Sequence, residues 1–84
     1  MARKTAPDSF DYIAALDNAR TAFGRRIIRQ RRSTGLTQAD LARRARIPVE
    51  TLRRIESGEA TPDSVTMNRI TLVIEEAKEE KEGS

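Results

Sequence analysis

The chain of 84 residues is long enough for one small domain, and it contains neither cysteine nor histidine. These absences exclude disulfides, thiolate or imidazole metal ligands, and catalysis by a cysteine or histidine. The net charge of +3 hides an asymmetry, because residues 20–54 hold eleven arginines against two acids whereas residues 75–82 hold five acids and two lysines. Such a cationic block indicates either a surface for a polyanion such as nucleic acid or a solvated face.

Nothing in the sequence predicts a membrane protein. No apolar run approaches the roughly 20 residues needed to span a bilayer. The basic start, MARKTAPDSF, lacks the apolar segment of a secretion signal. We therefore expect a cytoplasmic protein that does not contact a membrane.

The N-terminal third predicts an arm followed by two helices. Residues 1–8 are expected to form a flexible arm, and a first helix is predicted over residues 10–19. A second helix is predicted over residues 21–34, where Gly35 supplies a C-terminal stop. The pattern leaves open whether these two helices are separate or fused.

Two short helices follow, joined by a tight turn. Thr37 can cap the third helix by accepting the Asp40 amide, in a capping box with aspartate instead of glutamate. Pro48 lacks an N–H, so it ends the third helix and suits the start of a fourth, which Gly58 closes. A last helix is predicted after a cap at Thr61, and it fades into the acidic end of the chain.

The expected organisation is therefore all-α, a small bundle of about five helices. The flexible arm occupies residues 1–8, the helical domain residues 9–76 and an acidic tail residues 77–84.

The fourth helix has two chemically different sides. At about 100° per residue, Leu52 and Ile55 fall on one side. The opposite side gathers polar residues, namely Arg46 from the turn, Glu50, Arg53, Arg54 and Ser57. Two short helices of which the second presents a polar face in a basic surround are the components of a helix-turn-helix.

These residues also resemble a known family. The stretch GLTQADLARRARIPVETLRRIESGEATP closely resembles the helix-turn-helix of the phage repressor and Cro type, also seen in xenobiotic-response-element-like transcriptional regulators. FGRRI before it and PDSVTMNRI after it resemble the flanking helices, so the resemblance covers residues 22–75. It implies a lambda-repressor-like bundle with a central helix-turn-helix, here extended by an additional N-terminal helix.

The resemblance implies phosphate contacts at the start of the third helix. Gln38 matches the glutamine that holds a DNA phosphate in the family, and the amides around Thr37 can add an anion site. Ser57 and the Gly58 turn match positions of further phosphate contacts. Arg46 stands at the turn position where the family usually has glycine, so either Arg46 adopts a left-handed conformation or the turn differs.

Base contacts are implied for the fourth helix. The matching positions are Val49, Glu50 and Arg54, with Arg53 beside them. Either arginine can make two hydrogen bonds to guanine, Val49 can contact a thymine methyl, and Glu50 can accept from cytosine. Alternatively, Glu50 orients Arg54 four residues along the helix. Arg31 and Glu56 match a structural salt bridge between flanking and recognition helices.

Several apolar residues suggest a contact surface. The additional N-terminal helix carries a stripe, and the flanking helices carry apolar residues where the family pattern is more often polar. Both intramolecular packing and a dimer or partner surface are consistent with this set, which comprises Phe10, Tyr12, Ile13, Leu16, Ile28, Leu72 and Val73.

We therefore expect a transcriptional regulator that binds double-stranded DNA sequence-specifically, a repressor that occupies a palindromic operator as a homodimer through the major groove. It would need no catalysis, cofactor or metal. The alternative is an antitoxin-like or adaptor protein that mainly binds a second protein, such as a toxin, with autoregulatory DNA binding. A carboxylate enzyme is disfavoured because no acid pair lies in an apolar context. The operator sequence and any inducer stay open.

Overall fold

Four α-helices make up the described part of the chain. The computed structural model describes the backbone of residues 9–83 and the side chains of residues 14–83, so the predicted arm over residues 1–8 lies outside the described residues. The helices are α1 (Ser9–Ser33), α2 (Gln38–Ala45), α3 (Val49–Ser57) and α4 (Ser64–Glu82). Within residues 9–83, no helix is both long and apolar enough to cross a membrane.

The two helices predicted at the N-terminus are fused in α1, which is why four helices rather than about five are present in the described range. Neither proline nor glycine interrupts residues 9–23, so the helical hydrogen bonds continue through that stretch. The predicted stop is confirmed, because Gly35 adopts φ +80°. The N–H groups of Gly35 and Leu36 each donate at 3.1 Å to carbonyls of the last turn of α1.

The capping box that begins α2 is also confirmed. The Thr37 hydroxyl oxygen accepts the Asp40 N–H at 3.0 Å, and the Asp40 carboxylate accepts the Thr37 N–H at 3.2 Å. The Thr37 backbone N–H, followed by the Thr37 hydroxyl, holds the pKa of Asp40 below its ordinary value of 3.8.

The turn between α2 and α3 contains a left-handed arginine. Arg46 is exposed and has φ 60° and ψ 46°. Of the two alternatives for this position, a left-handed arginine or a different turn, the left-handed arginine is the one observed. The following Ile47 N–H donates to the Ala42 carbonyl at 3.0 Å, which closes the end of α2. A side chain in this conformation costs about 1–2 kcal/mol, because its Cβ approaches the following carbonyl oxygen.

Helix α4 begins differently from the prediction. Asp63, not Thr61, is the N-cap, and its carboxylate accepts the Thr66 N–H at 2.7 Å. Asp63 directly precedes the first helical residue, so its side chain is placed to reach an amide three residues ahead, whereas Thr61 is too far back. This bond from the Thr66 amide is the main cause that lowers the pKa of Asp63.

The core forms where α1, α2, α3 and α4 converge. Its buried hydrophobic residues are Ile27, Leu41, Ala42, Ala45, Leu52, Ile55, Ile70, Val73 and Ile74. Val73 is 5% exposed, so its assignment to a partner surface was wrong. The reason is helical spacing, because Val73 shares the inner side of α4 with Ile70, Ile74 and Ala77. Since Ala77 is buried and α4 continues to Glu82, the predicted boundary between residues 76 and 77 falls inside a helix.

Helices α1 and α3 approach through a glycine. A Cβ atom placed on Gly24 would lie 2.6 Å from the carbonyl oxygens of both Ile55 and Glu56. Because that distance is far below van der Waals contact, only glycine allows the two backbones to meet here. This contact fixes the C-terminal end of α3 against the middle of α1.

Candidate nucleic-acid interface

Helix α3 buries one side and exposes the other. Leu52 is 0% exposed and Ile55 is 1% exposed, whereas Glu50, Arg53, Arg54 and Ser57 are all exposed. Val49, at the start of the helix, is half-buried and packs against the core. Four of the predicted contact residues therefore share one accessible surface, which we call the outer side of α3 (Glu50, Arg53, Arg54 and Ser57), and Val49 is not part of it.

The charges on this outer side are arranged unequally. Arg53 Nη1 donates to Glu50 Oε1 at 2.9 Å, so Glu50 pairs with the residue three positions on and not with Arg54. Arg54 is exposed and has no acidic partner among residues 14–83. Ser57 Oγ donates to the Arg54 carbonyl at 3.1 Å, within the helix. Of the two arginines on this side, Arg53 is paired with Glu50. The guanidinium of Arg54 is therefore the one that is free to bind a guanine edge or a phosphate.

Behind the outer side, Glu56 joins three helices. Arg31 Nε of α1 donates to Glu56 Oε2 at 2.8 Å, and its Nη2 donates to Oε1 at 3.2 Å. Gln38 Nε2 of α2 donates to the same Oε1 at 2.8 Å. The structure thus brings the predicted pair together and adds a third residue to it.

The Glu56 carboxylate is nearly inaccessible. Its side chain is 3% exposed and that of Arg31 is 12% exposed. A carboxylate removed from water must be compensated by charge and hydrogen bonds. Arg31 supplies the charge and two hydrogen bonds, and Gln38 supplies one more. Arg31 Nη1 also donates to the Leu36 carbonyl at 3.1 Å, so the same guanidinium supports the loop before α2.

Gln38 was predicted to hold a phosphate, and its contact with Glu56 was not predicted. Nothing in the sequence indicates this bond, because Gln38 and Glu56 are 18 positions apart and belong to different helices. One amide N–H is used in that bond, and the second remains for a phosphate. Thr37, beside it, is exposed at the start of α2. Gln38 is therefore held in position by the fold at the place where the phosphate contact is predicted.

Arg46 stands apart from the other predicted DNA-binding residues. It lies on the exposed turn and lines a surface depression together with Arg69 and Leu72 of α4. No hydrogen bond or ion pair in residues 14–83 joins it to the outer side of α3.

The arginines of residues 20–54 fall into two groups. One group pairs with carboxylates within the described side chains, and comprises Arg20, Arg31, Arg43, Arg44 and Arg53. The other group is exposed and has no carboxylate partner there, and comprises Arg25, Arg26, Arg29, Arg32, Arg46 and Arg54. The uncompensated positive charge is therefore concentrated on α1, the turn and α3.

Two of the residues predicted to form a partner surface are exposed among the described side chains. Leu16 is 46% exposed and Leu72 is 61% exposed, while Ile28 is half-buried. Leu16 also lines an apolar groove of about 300 Å³ with Phe23, Pro62 and Met67. The side chains of Phe10, Tyr12 and Ile13 lie outside the described residues.

Comparison with known proteins agrees with this architecture. Residues 22–73 match the family described as a helix-turn-helix domain, from the middle of α1 through most of α4. No curated protein and no solved structure matches the chain. The family match spans more than half of the 84 residues and includes α2, the turn and α3. The chain therefore belongs to the family of helix-turn-helix domains, a fold that binds DNA.

Proposed function

We propose that this protein is a sequence-specific transcriptional regulator, a repressor of the phage repressor and Cro type that acts in the cytoplasm by occupying its operator. Helix α3 enters the major groove, with Arg54 contacting bases and Gln38 with the amides at the start of α2 contacting phosphates. Occupancy of a DNA site needs no chemical step, so we propose no catalytic activity.

The observation that carries this proposal is the contrast between the two sides of α3. Its inner side is anchored by Leu52, Ile55 and the buried Glu56, while the outer side is exposed and carries the unpaired Arg54. A rigidly held helix with exposed hydrogen-bond donors is suited to reading base edges, because the backbone that carries the donors does not need to be ordered on binding.

We further propose that it binds a palindromic operator as a homodimer. The exposed apolar residues Leu16 and Leu72 support a contact surface between copies. In a dimer, the two α3 helices would enter successive major grooves about 34–36 Å apart.

Selection from a randomised pool of DNA duplexes tests this function. The protein is incubated with the pool near physiological salt, the bound duplexes are sequenced, and the recovered sites are titrated at several salt concentrations. We expect a short palindrome whose affinity falls steeply as salt rises, because phosphate contacts release counterions. Weak binding without sequence preference would contradict the proposal.

The apolar groove formed by Leu16, Phe23, Pro62 and Met67 favours a second candidate function. In this alternative, the protein is antitoxin-like or an adaptor, binds a second protein such as a toxin through that groove, and binds DNA only to regulate its own expression. A stable hetero-complex in which Leu16→Asp abolishes association would support this function over the first.

A further inference from the structure

The outward part of α1 presents arginines at regular intervals. Arg25, Ile28, Arg29 and Arg32 line a shallow surface depression of about 340 Å³, which no acidic residue lines. We call these four residues the arginine flank of α1. From Arg25 to Arg32 the helix rises about 10 Å.

The arginine flank begins beside the contact of α1 with the end of α3 and turns around α1 away from that contact. Two residues of α1 contact the end of α3. Gly24 faces the carbonyl of Glu56, and a Cβ on Gly58 would lie 3.1 Å from Thr21 Oγ1. Gly24 and Thr21 therefore mark the direction in which α3 lies. Viewed down the helix axis, with about 100° per residue, Ile28 lies about 40° and Arg32 about 80° from Gly24. Both are rotated from Gly24 in the same rotational sense as Thr21.

By the same measure, Arg25 lies about 100° and Arg29 about 140° from Gly24 in that sense. Arg26 points the other way and lines a groove with Ile70 and Ile74 of α4. Arg26 therefore faces α4, whereas no residue of the arginine flank lines that groove.

Charge compensation separates the arginine flank from the paired arginines. Arg25, Arg29 and Arg32 are exposed and have no acidic partner within residues 14–83, whereas Arg43 pairs with Asp40 and Arg44 pairs with Glu76 and Glu80. Uncompensated guanidinium groups that repel one another along a helix are stabilised when an anion binds between them.

We propose that the arginine flank of α1 is a second DNA-backbone site, which binds phosphates beside those contacted through α2 and α3. The three guanidinium groups bind non-bridging phosphate oxygens, and Ile28 contacts the sugars between them. The site contributes affinity without reading sequence, and it lengthens the footprint beyond the helix-turn-helix motif. This inference rests on the proposed function.

A charge-matched pair of double variants tests the site. The test variant is Arg25→Gln with Arg32→Gln, and the control is Arg26→Gln with Lys78→Gln, which removes the same charge from the α4-facing groove of α1 and from α4. Glutamine retains helix propensity, and the three arginines replaced have no acidic partner among residues 14–83. Lys78 loses only a surface ion pair with Glu75, which contributes little to stability. Affinity is measured between about 50 and 200 mM salt on the selected duplex and on a random duplex of equal length.

We expect the test variant to lose about two units of the slope of log affinity against log salt, since each phosphate contact contributes about 0.9. Near 0.15 M salt the affinity should fall by roughly fivefold for each lost contact, equally on both duplexes. The control should change affinity by less than about twofold, because distant exposed charges are largely screened. An unchanged slope in the test variant, or an equal loss in the control, would overturn the proposal.

Methylphosphonate linkages supply a second readout. Neutralising the phosphates that flank the selected site should weaken the wild-type protein more than the test variant, because the test variant retains only Arg29 of the three arginines. Equal weakening of both proteins would overturn the site. If the wild-type protein selects a sequence but the variants behave alike, only this inference fails. If the wild-type protein binds no duplex, the proposed function fails with it.

Discussion

The inner and outer sides of α3 each carry a glutamate paired with an arginine, and the two pairs differ in nearly every physical respect. Glu56 is 6% exposed and receives hydrogen bonds from Arg31 and Gln38 of two other helices. Glu50 is exposed and pairs within its own helix, with Arg53. The comparison teaches that losing one partner of such a pair is costly when the pair is buried and nearly neutral when it is exposed.

The largest expected effect comes from removing the inner carboxylate. We expect Glu56→Ala to lower the free energy of unfolding by about 3–5 kcal/mol, because it leaves the Arg31 charge buried without a partner. Glu50→Ala, the matched change on the outer side, should cost less than about 1 kcal/mol. Urea denaturation of both variants measures the difference.

The double variant Arg31→Met with Glu56→Leu sharpens this prediction. It should recover much of the lost stability, since apolar residues of similar size replace both charges. Similar losses for Glu56→Ala and Glu50→Ala would mean that burial does not distinguish the two pairs.

Removing a side chain from the outer side should affect DNA binding and not folding. We expect Arg54→Ala to weaken binding to the selected duplex by about 1–3 kcal/mol and to relax the preference at one base pair, with unfolding unchanged. The measurement is binding to the selected duplex and to its single-base variants.

Gln38→Ala is the comparison for Arg54→Ala. It should weaken selected and random DNA alike, because a phosphate contact carries no sequence information. It should also lower stability, because the Glu56 carboxylate loses a hydrogen bond. Equal losses on selected and random duplexes for Arg54→Ala would contradict its assignment to base contact.

A smaller effect is expected in the turn that leads into α3. Arg46→Gly should raise the free energy of unfolding by about 0.5–1 kcal/mol, since relief of the left-handed conformation exceeds the entropy that glycine adds to the unfolded chain. Arg43→Gly, in the interior of α2, should lower it by about 1 kcal/mol. Thermal unfolding of the two variants measures both changes in stability. A loss of stability in both variants would argue against strain at Arg46.

The smallest effect is a dependence on pH in acid. The pKa values of Asp40 and Asp63 lie below 3.8 in the folded protein because backbone amides donate to both carboxylates. Their contribution to stability is therefore present above pH 3.8 and is lost as pH falls through the lower folded values. Asp63→Asn keeps the capping oxygen and should reduce the slope of stability against pH, measured by urea denaturation between about pH 5 and 2.

The local geometry of α2 and α3 could be predicted because short-range chemistry determines it. Thr37 with Asp40, Gly35 and Gly58 each act within a few residues, and these caps and stops appear where the sequence indicates them. Asp63 shows the limit of such reasoning. The prediction placed the cap at Thr61, whereas the first helical turn begins two residues later and is capped by Asp63.

Contacts between distant parts of the chain were harder to predict. The fusion of the first two helices depends on the absence of a breaker, and the burial of Val73 depends on which side of α4 meets α2. The hydrogen bond from Gln38 to Glu56 has no local signal at all. The local sequence signal for the close approach at Gly24 is a glycine inside a helical pattern.

Gly24 has a consequence for how the protein can evolve. Contacts between side chains can be retuned by new rotamers, but the contact between Gly24 and the carbonyls of Ile55 and Glu56 joins peptide groups that have none. The spacing of α1 and α3 is therefore independent of the side chains that surround it. Residues on the accessible side of α3 can be exchanged for a new DNA sequence while the frame that presents them keeps its dimensions.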